Sequence, residues 1–460
     1  MSTLPVIQKK TPPPGYTAAR NACKLCAPLG AMLAFRGVEG ALPFLHGSQG
    51  CATYMRRYII SHFREPMDIA ASNFSEASTV FGGTETFRQG IRNVQSQYNP
   101  ALIGIATTCL TETIGEDLNM LMSRLHQTED AATLPILVPV STPSYRGTHI
   151  DGFHGAVLAL VNHLAQNGGQ PRGQVNLFPG MVSPADLRYL KEIMEDFRLE
   201  AVLLPDYSDT LDGPSMAEYH KIPEGGTPVA SIRAMGAAKC SIEFGRTLRQ
   251  KTTAASCLDQ KWKVPAHRLG MPIGVRETDS LFALLEKITH QQMPRKHALE
   301  RGRLIDAYVD GHKYVFGKRA VVYGEEDFVV GMVAFLSEIG VVPVMCASGG
   351  ESGCFASAIE EVAPEFNGKI IVREGMDFVT MEEATQDLDA DFVLGSSKGY
   401  TMSRHLRIPI VRAGFPIHDR FGGHRILHLG YRGAQHLFDL IVNTLLTKKQ
   451  EDSPVGYSYL

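Results

Sequence analysis

Short apolar runs, each bounded by glycine, proline or serine, recur through the chain and set its fold class. They lie at 101–109 (ALIGIATTC), 134–140, 174–178, 201–204, 319–323, 341–346, 369–372, 391–394 and 408–411. These runs are rich in β-branched residues and apolar on both faces, as strands buried in parallel sheets are. Helical patterns such as 184–197 (PADLRYLKEIMEDF) and 327–339 lie between them. Alternating strands and helices predict an α/β protein with parallel sheets flanked by helices. A chain of 460 residues exceeds one ordinary core, so several domains are expected. The Gly-rich link 166–173 (QNGGQPRG) and a break near 294–303 divide it into three Rossmann-like domains at 1–172, 173–303 and 304–460. The first is expected to comprise an N-terminal arm and a cluster-binding region.

The chain is 44% hydrophobic and 20% charged with a formal net charge of −3, a globular profile without a nucleic-acid-binding surface. No stretch of about 18 apolar residues predicts a transmembrane helix. Residues 1–20 are polar, carry Pro12, Pro13 and Pro14, and lack a secretory pattern. They are expected to form an extended arm, and the chain is expected in the cytoplasm.

The eight cysteines are Cys23, Cys26, Cys51, Cys109, Cys240, Cys257, Cys346 and Cys354. They are too sparse for a disulfide framework, and clustered thiols in a reducing compartment point to metal or redox chemistry. Cys109 closes the run ALIGIATTC, ahead of a helical pattern over 112–122. Cys51 closes the loop HGSQGC, where Gly47 and Gly50 permit tight bending. Cys26 lies in CAPLG, where Pro28 and Gly30 read as a turn. Three cysteines in three turn-rich loops of one domain suit iron–sulfur ligation. A lone cysteine is more often a small buried hydrophobe. Cys23 and Cys26 also form a C-x-x-C, a zinc half-site or redox pair in isolation, but nothing completes a zinc site and no strand precedes it. Three thiols are one short of a four-thiolate cluster, which points to ligands from another chain.

The stretches CAPLGAMLAFRG (26–37), LHGSQGCATY (45–54), SHFREP (61–66), VFGG (80–83), TTCLTETIGEDL (107–118), TPSYRGTH (142–149), RAGFPIHDRFGG (412–423) and GYRG (430–433) resemble the β-type subunits of nitrogenase component 1. The resemblance runs over roughly residues 21–445. It implies pairing with a homologous α-type subunit in an α2β2 heterotetramer. It also implies a shared P-type cluster, an eight-iron seven-sulfur assembly, ligated here by Cys26, Cys51 and Cys109. Ser144 matches a serine that adds an oxygen ligand on oxidation. An ATP-dependent iron protein would deliver electrons through this cluster to an active-site metallocluster in the α partner. No catalytic residue would then lie in this chain. The substrate would be dinitrogen or another small molecule such as a methylthio-alkane.

The alternative is the β-type subunit of the iron–molybdenum cofactor scaffold, where a four-iron four-sulfur cluster needs only the HGSQGC cysteine. All three cysteines and Ser144 are present, which favours the reductase. The wording around NACKLC and YMRRYIISHFREP departs from molybdenum-type β chains, and so do the short arm and the extra Cys23. A cluster-free structural paralogue would have no reason to gather three thiols.

Other residues have plainer expectations. His46 and His62 read as hydrogen-bonding core histidines, with tuning of a cluster as the sharper alternative. Tyr54 is expected to pack near Cys51. Arg56, Arg57 and Arg64 read as a solvated basic face that suits an acidic partner. Glu116 and Asp117 are expected within the helix after Cys109. Through the resemblance, Glu65 and Asp327 are candidates for a cation site between β chains. The GSSKG segment at 395–399 lacks the full phosphate-loop pattern, so ATP hydrolysis is not expected here.

Overall fold

The structure is a computed structural model, and it describes residues 21–129, 134–167, 173–215 and 217–456. The expected arm at 1–20 and most of the 166–173 link lie outside the described residues. Three parallel sheets form the frame. The first comprises β1 (Ala41–His46), β2 (Ala70–Ala71), β3 (Leu102–Thr107) and β4 (Ile136–Val140), in the order β2-β1-β3-β4. The second comprises β5 (Val175–Phe178), β6 (Ala201–Leu203), β7 (Cys240–Phe244) and β8 (Ala266–Leu269), in the order β6-β5-β7-β8. The third comprises β9 (Arg319–Gly324), β10 (Val342–Ser348), β11 (Ile371–Arg373), β12 (Phe392–Gly395) and β13 (Ile410–Arg412), in the order β11-β10-β9-β12-β13.

Every strand expected from an apolar run is present, within a residue or two at its ends. β1, β2, β7 and β8 were not expected. Glu243 and Arg268 interrupt the apolar pattern of β7 and β8, yet they are register partners, and Arg268 Nη2 donates to Glu243 Oε2 at 2.7 Å. Each charge is tolerated because the other strand supplies its counter-charge.

The Ala27–Arg36 helix corrects the turn expected at Pro28 and Gly30. Pro28 stands in the first helical turn, where its missing N–H costs nothing. Gly30 lies further along the same helix and meets a second helix, His149–Leu164. A Cβ on Gly30 would fall 1.6 Å from the His149 carbonyl oxygen, and one on Gly152 would fall 1.8 Å from that of Ala27. The two glycines let the helix backbones touch. All ten residues of the first helix are buried there. One apolar core is continuous from Leu29 and Phe153 through Val175 and Leu281 to Phe335 and Leu437, joining the regions around all three sheets.

The helical pattern at 112–122 is two helices, Cys109–Thr113 and Leu118–Thr128. Gly115, at φ 78°, turns the chain between them. Glu116 therefore lies in the break. Asp117 caps the second helix, accepting from the N–H groups of Asn119 and Met120.

Candidate metal centre

β1 and β3 are neighbours, with His46 in register with Thr107. From β1 the chain runs outward to β2, and from β3 it runs the other way to β4. Such a switch point opens a crevice beyond the strand ends, where α/β proteins bind ligands. Cys51 and Cys109 follow these two strands. Neither sits in a loop, as the sequence suggested. Ser48 caps the Gln49–Phe63 helix and Cys51 lies in its first turn, while Cys109 is the first residue of its own helix, capped by Thr108. Cys26 is the N-cap of Ala27–Arg36. Three helix N-termini thus present three sulfurs.

Cys26 feels Cys51 and Cys109, and Cys51 feels Cys109. Burial raises the Cys26 thiol above its ordinary range, the N–H groups of Leu29 and of Cys26 itself pull it down, and Cys51 and Cys109 add to the rise. Burial also raises Cys51, and Cys109 adds to it. A coordinating metal deprotonates such thiols outright. Cys26 and Cys51 are half-buried and Cys109 is exposed, whereas the other five cysteines are buried. Among the described residues no three His, Cys, Asp or Glu side chains close around a single ion. Three free, mutually interacting thiols open on one side suit a polynuclear iron–sulfur group completed from outside, and do not suit a closed zinc site.

Ser144 is half-buried in a turn at 143–146. The segment before it is fastened to the end of β3: the Thr142 N–H donates to Thr107 Oγ1 at 2.8 Å and Thr142 Oγ1 donates to the Thr107 carbonyl at 2.7 Å. The hydroxyls of Ser141 and Thr107 both donate to Glu112 Oε1, one turn into the Cys109 helix. Glu112 thereby ties the Ser144 segment to the Cys109 helix. Its position in TTCLTET carries no signal of that role.

His46 is a core histidine, as expected. Its Nδ1 is 3.0 Å from Ser72 Oγ, its Nε2 is 3.5 Å from Glu116 Oε2, and Phe74 and Phe87 meet its ring edgewise. Burial lowers its pKa and Glu116 opposes that. Glu116 also accepts the Gly83 N–H at 2.7 Å, bonding the turn that follows Val80 and Phe81. His62 accepts the Ile417 N–H at 2.9 Å, and burial pushes its pKa down to about 3. It fastens the far end of the Cys51 helix to the C-terminal region.

Tyr54 is exposed and lies beside Tyr58, with ring centroids 5.7 Å apart. Arg56 bonds Met67 O and Asp68, Arg64 bonds His418 O, and Arg57 is exposed. The chain does not bring Glu65 and Asp327 together. Asp327 accepts the N–H groups of Arg246 and Thr247 and the Thr247 hydroxyl, while Glu65 lines a separate groove with Arg36 and Asp68. In GSSKG, Ser397 donates to Pro416 O and Lys398 to Ala22 O, so the segment is a clamp and not a phosphate cradle. Cys23 is buried against the third sheet, and burial above all pushes its thiol up to about 12. Its charged neighbours are Glu325 and Lys398, not the three ligand-type thiols.

Large apolar side chains stand exposed next to these elements: Phe81 at 88%, Val80 at 74% and Tyr145 at 61%.

A family model for nitrogenase component 1 type oxidoreductases matches residues 26–446. The chain belongs to this family. The nitrogenase molybdenum-iron protein beta chain of Clostridium pasteurianum is 36% identical over 437 residues, covering 94% of each chain. That of Methanococcus maripaludis is 34% identical over 464 residues, covering 98% of each. A solved structure of nitrogenase Cp1 at pH 6.5 superposes with a TM-score of 0.92 at 34% identity, over 97% of this chain and 98% of that one. A chain of nitrogenase Cp1 at pH 5 shares the fold, with a TM-score of 0.68 at 15% identity, over 97% of this chain and 94% of that one. The protein is thus a β-type, nitrogenase-like member of an oxidoreductase complex. No helix among its described residues is long and apolar enough to cross a membrane.

Proposed function

We propose that the chain is the β subunit of a nitrogenase-like two-component reductase. In this reading Cys26, Cys51 and Cys109 hold half of a P-type iron–sulfur cluster at the interface with an α-type partner, and Ser144 is a further oxygen donor. The observation that carries it is the set of three mutually interacting thiols on three helix N-termini at one switch point, with Cys109 exposed. When bound, the cluster supplies reversible electron storage and transfer at a potential set by ligands, hydrogen bonds and burial. The chain's own part is to hold the thiolates, to aim the Leu29 and Cys26 N–H groups at the Cys26 sulfur, and to tie Ser144 to the Cys109 helix through Glu112.

Electrons would come from an ATP-dependent iron protein and pass to an active-site metallocluster in the α partner. The complex would be a cytoplasmic α2β2 heterotetramer. Its substrate, dinitrogen or another molecule such as a methylthio-alkane, would be selected in the α partner. Bringing all three thiols together favours this reading over a cofactor scaffold, for which Cys51 alone would suffice.

Rapid mixing of the anoxic complex with reduced iron protein and MgATP tests the relay. Iron-protein oxidation is expected within a single turnover, with electron uptake by the complex, and neither without ATP. An iron protein that stays reduced in the presence of MgATP sinks the proposal.

A further inference from the structure

Two of the three sheets turn their switch points toward one cavity. In the second sheet the chain leaves β5 for β6 and β7 for β8, in opposite directions, and in the third it leaves β9 for β10 and β12 for β13 likewise. Ligands of α/β proteins bind beyond the strand ends at such points. Residues that follow β5, β7 and β9 line a cavity of about 220 Å³, many times the room that one water needs. Its wall is apolar at Met181, Phe244, Met271 and Phe328, and none of the three ligand-type thiols lines it. Its charges are unbalanced, with five carboxyl groups against two ammonium groups. Two of the carboxylates are satisfied within the protein. Asp151 pairs with Lys251, and Asp327 accepts from the Arg246 and Thr247 N–H groups and the Thr247 hydroxyl. That leaves Glu325, Glu326 and Glu351 facing the cavity, against Lys24, which makes no ion pair among the described residues.

We infer that this cavity binds a small organic cation of the alkylammonium class, held by Glu326. Glu326 opens the Glu326–Glu338 helix. A first-turn carboxylate ordinarily complements a helix from the solvent. This one is only 8% exposed, and its one hydrogen-bond partner among the described residues is Ser352, whose N–H it accepts at 3.1 Å. Burial pushes its pKa up to about 7 against the Ser352 bonds, Glu374 adds to the rise, and Lys251 opposes it. A buried carboxylate without a counter-charge carries a desolvation cost that an ammonium beside it offsets. The alkyl chain would lie against Met181 and Phe328, and an aromatic face also attracts a cation. An anion fits less well: the helix N-terminus would attract it, but three carboxyl groups would repel it. A bare metal ion does not fit, since no three His, Cys, Asp or Glu side chains among the described residues close around one ion. The occupant would join distant parts of the chain. Met181 follows β5, Glu326 follows β9, and Ile150 belongs to the His149–Leu164 helix that meets Ala27–Arg36.

The test titrates the co-purified αβ complex with n-butylammonium, n-pentanol and pentanoate by calorimetry, at constant ionic strength. Saturable binding of the ammonium is expected, with the alcohol and the carboxylate weaker by about tenfold or more. Glu326→Gln keeps the shape of the side chain and removes its charge. It is expected to weaken ammonium binding by about tenfold or more, the worth of a hydrogen bond to a charged group. Equal affinity for n-pentanol marks an apolar hole without a cation site and overturns the inference. Tighter binding of pentanoate, no saturable binding of the ammonium, or unchanged ammonium binding in Glu326→Gln overturns it too. A crystal structure of the unsubstituted complex with n-butylammonium covers the case in which the variant does not fold. An ammonium beside Glu326 supports the site, and a cavity without one overturns it.

Discussion

Replacing Cys51 by alanine is expected to strip the interface cluster from the complex while leaving the chain folded. Cys51 lies in the first turn of the Gln49–Phe63 helix and is only half-buried. Alanine is the best helix former, so the substitution leaves no broken helix. What disappears is one of three thiolates that this chain offers, and a multi-iron cluster does not keep a site whose ligand has become a methyl group. Iron analysis of the anoxic complex should show loss of the interface iron, with circular dichroism unchanged. Cys23→Ala is the control: its thiol is buried against the third sheet, away from the other three, and iron should be retained. Unchanged iron in Cys51→Ala would show that the thiol is no ligand.

Gly30→Ala should have the larger effect on folding. The added Cβ would lie 1.6 Å from His149 O, 2.6 Å from His149 C and 2.9 Å from Phe153 N, all backbone atoms of the crossing helix. No rotamer change relieves such a collision, so the helices must separate. Overpacking of side chains typically costs about 1–3 kcal/mol, and rigid backbone collisions exceed that range. Against total stabilities of about 5–15 kcal/mol, the substitution is expected to remove most of the soluble complex. Gly302 offers the contrast. It lies in the Arg295–Val315 helix with nothing within 4 Å of an added Cβ, so Gly302→Ala is expected to stabilise by about 0.5–1 kcal/mol. Thermal melts and soluble yield check both. A Gly30→Ala complex that melts within a degree or two of the parent would contradict the close helix crossing.

The difference between these glycines shows what was legible in the sequence. Buried parallel strands advertise themselves through runs such as ALIGIA, because both faces must be apolar. β1 was missed because Pro43 and His46 interrupt its run, and β7 and β8 because Glu243 and Arg268 neutralise each other across adjacent strands. The cysteines were legible as a group, but their placement was not. Pro28 and Gly30 look like a turn in local sequence. Only the second helix, over a hundred residues later, explains why a glycine stands in the first. The same holds for Glu112, which accepts from the Ser141 hydroxyl, 29 residues further along the chain.

In the function proposed, three thiols of this chain hold half of an eight-iron interface cluster. The most direct measurement is interface iron per αβ pair in anoxically co-purified complex, with EPR of the reduced and oxidised states. About eight irons are expected, EPR-silent when reduced and giving a high-spin signal on oxidation. About four irons with a half-integer signal on reduction would contradict it, and would mean a simple four-iron scaffold cluster in which Cys26 or Cys109 is idle.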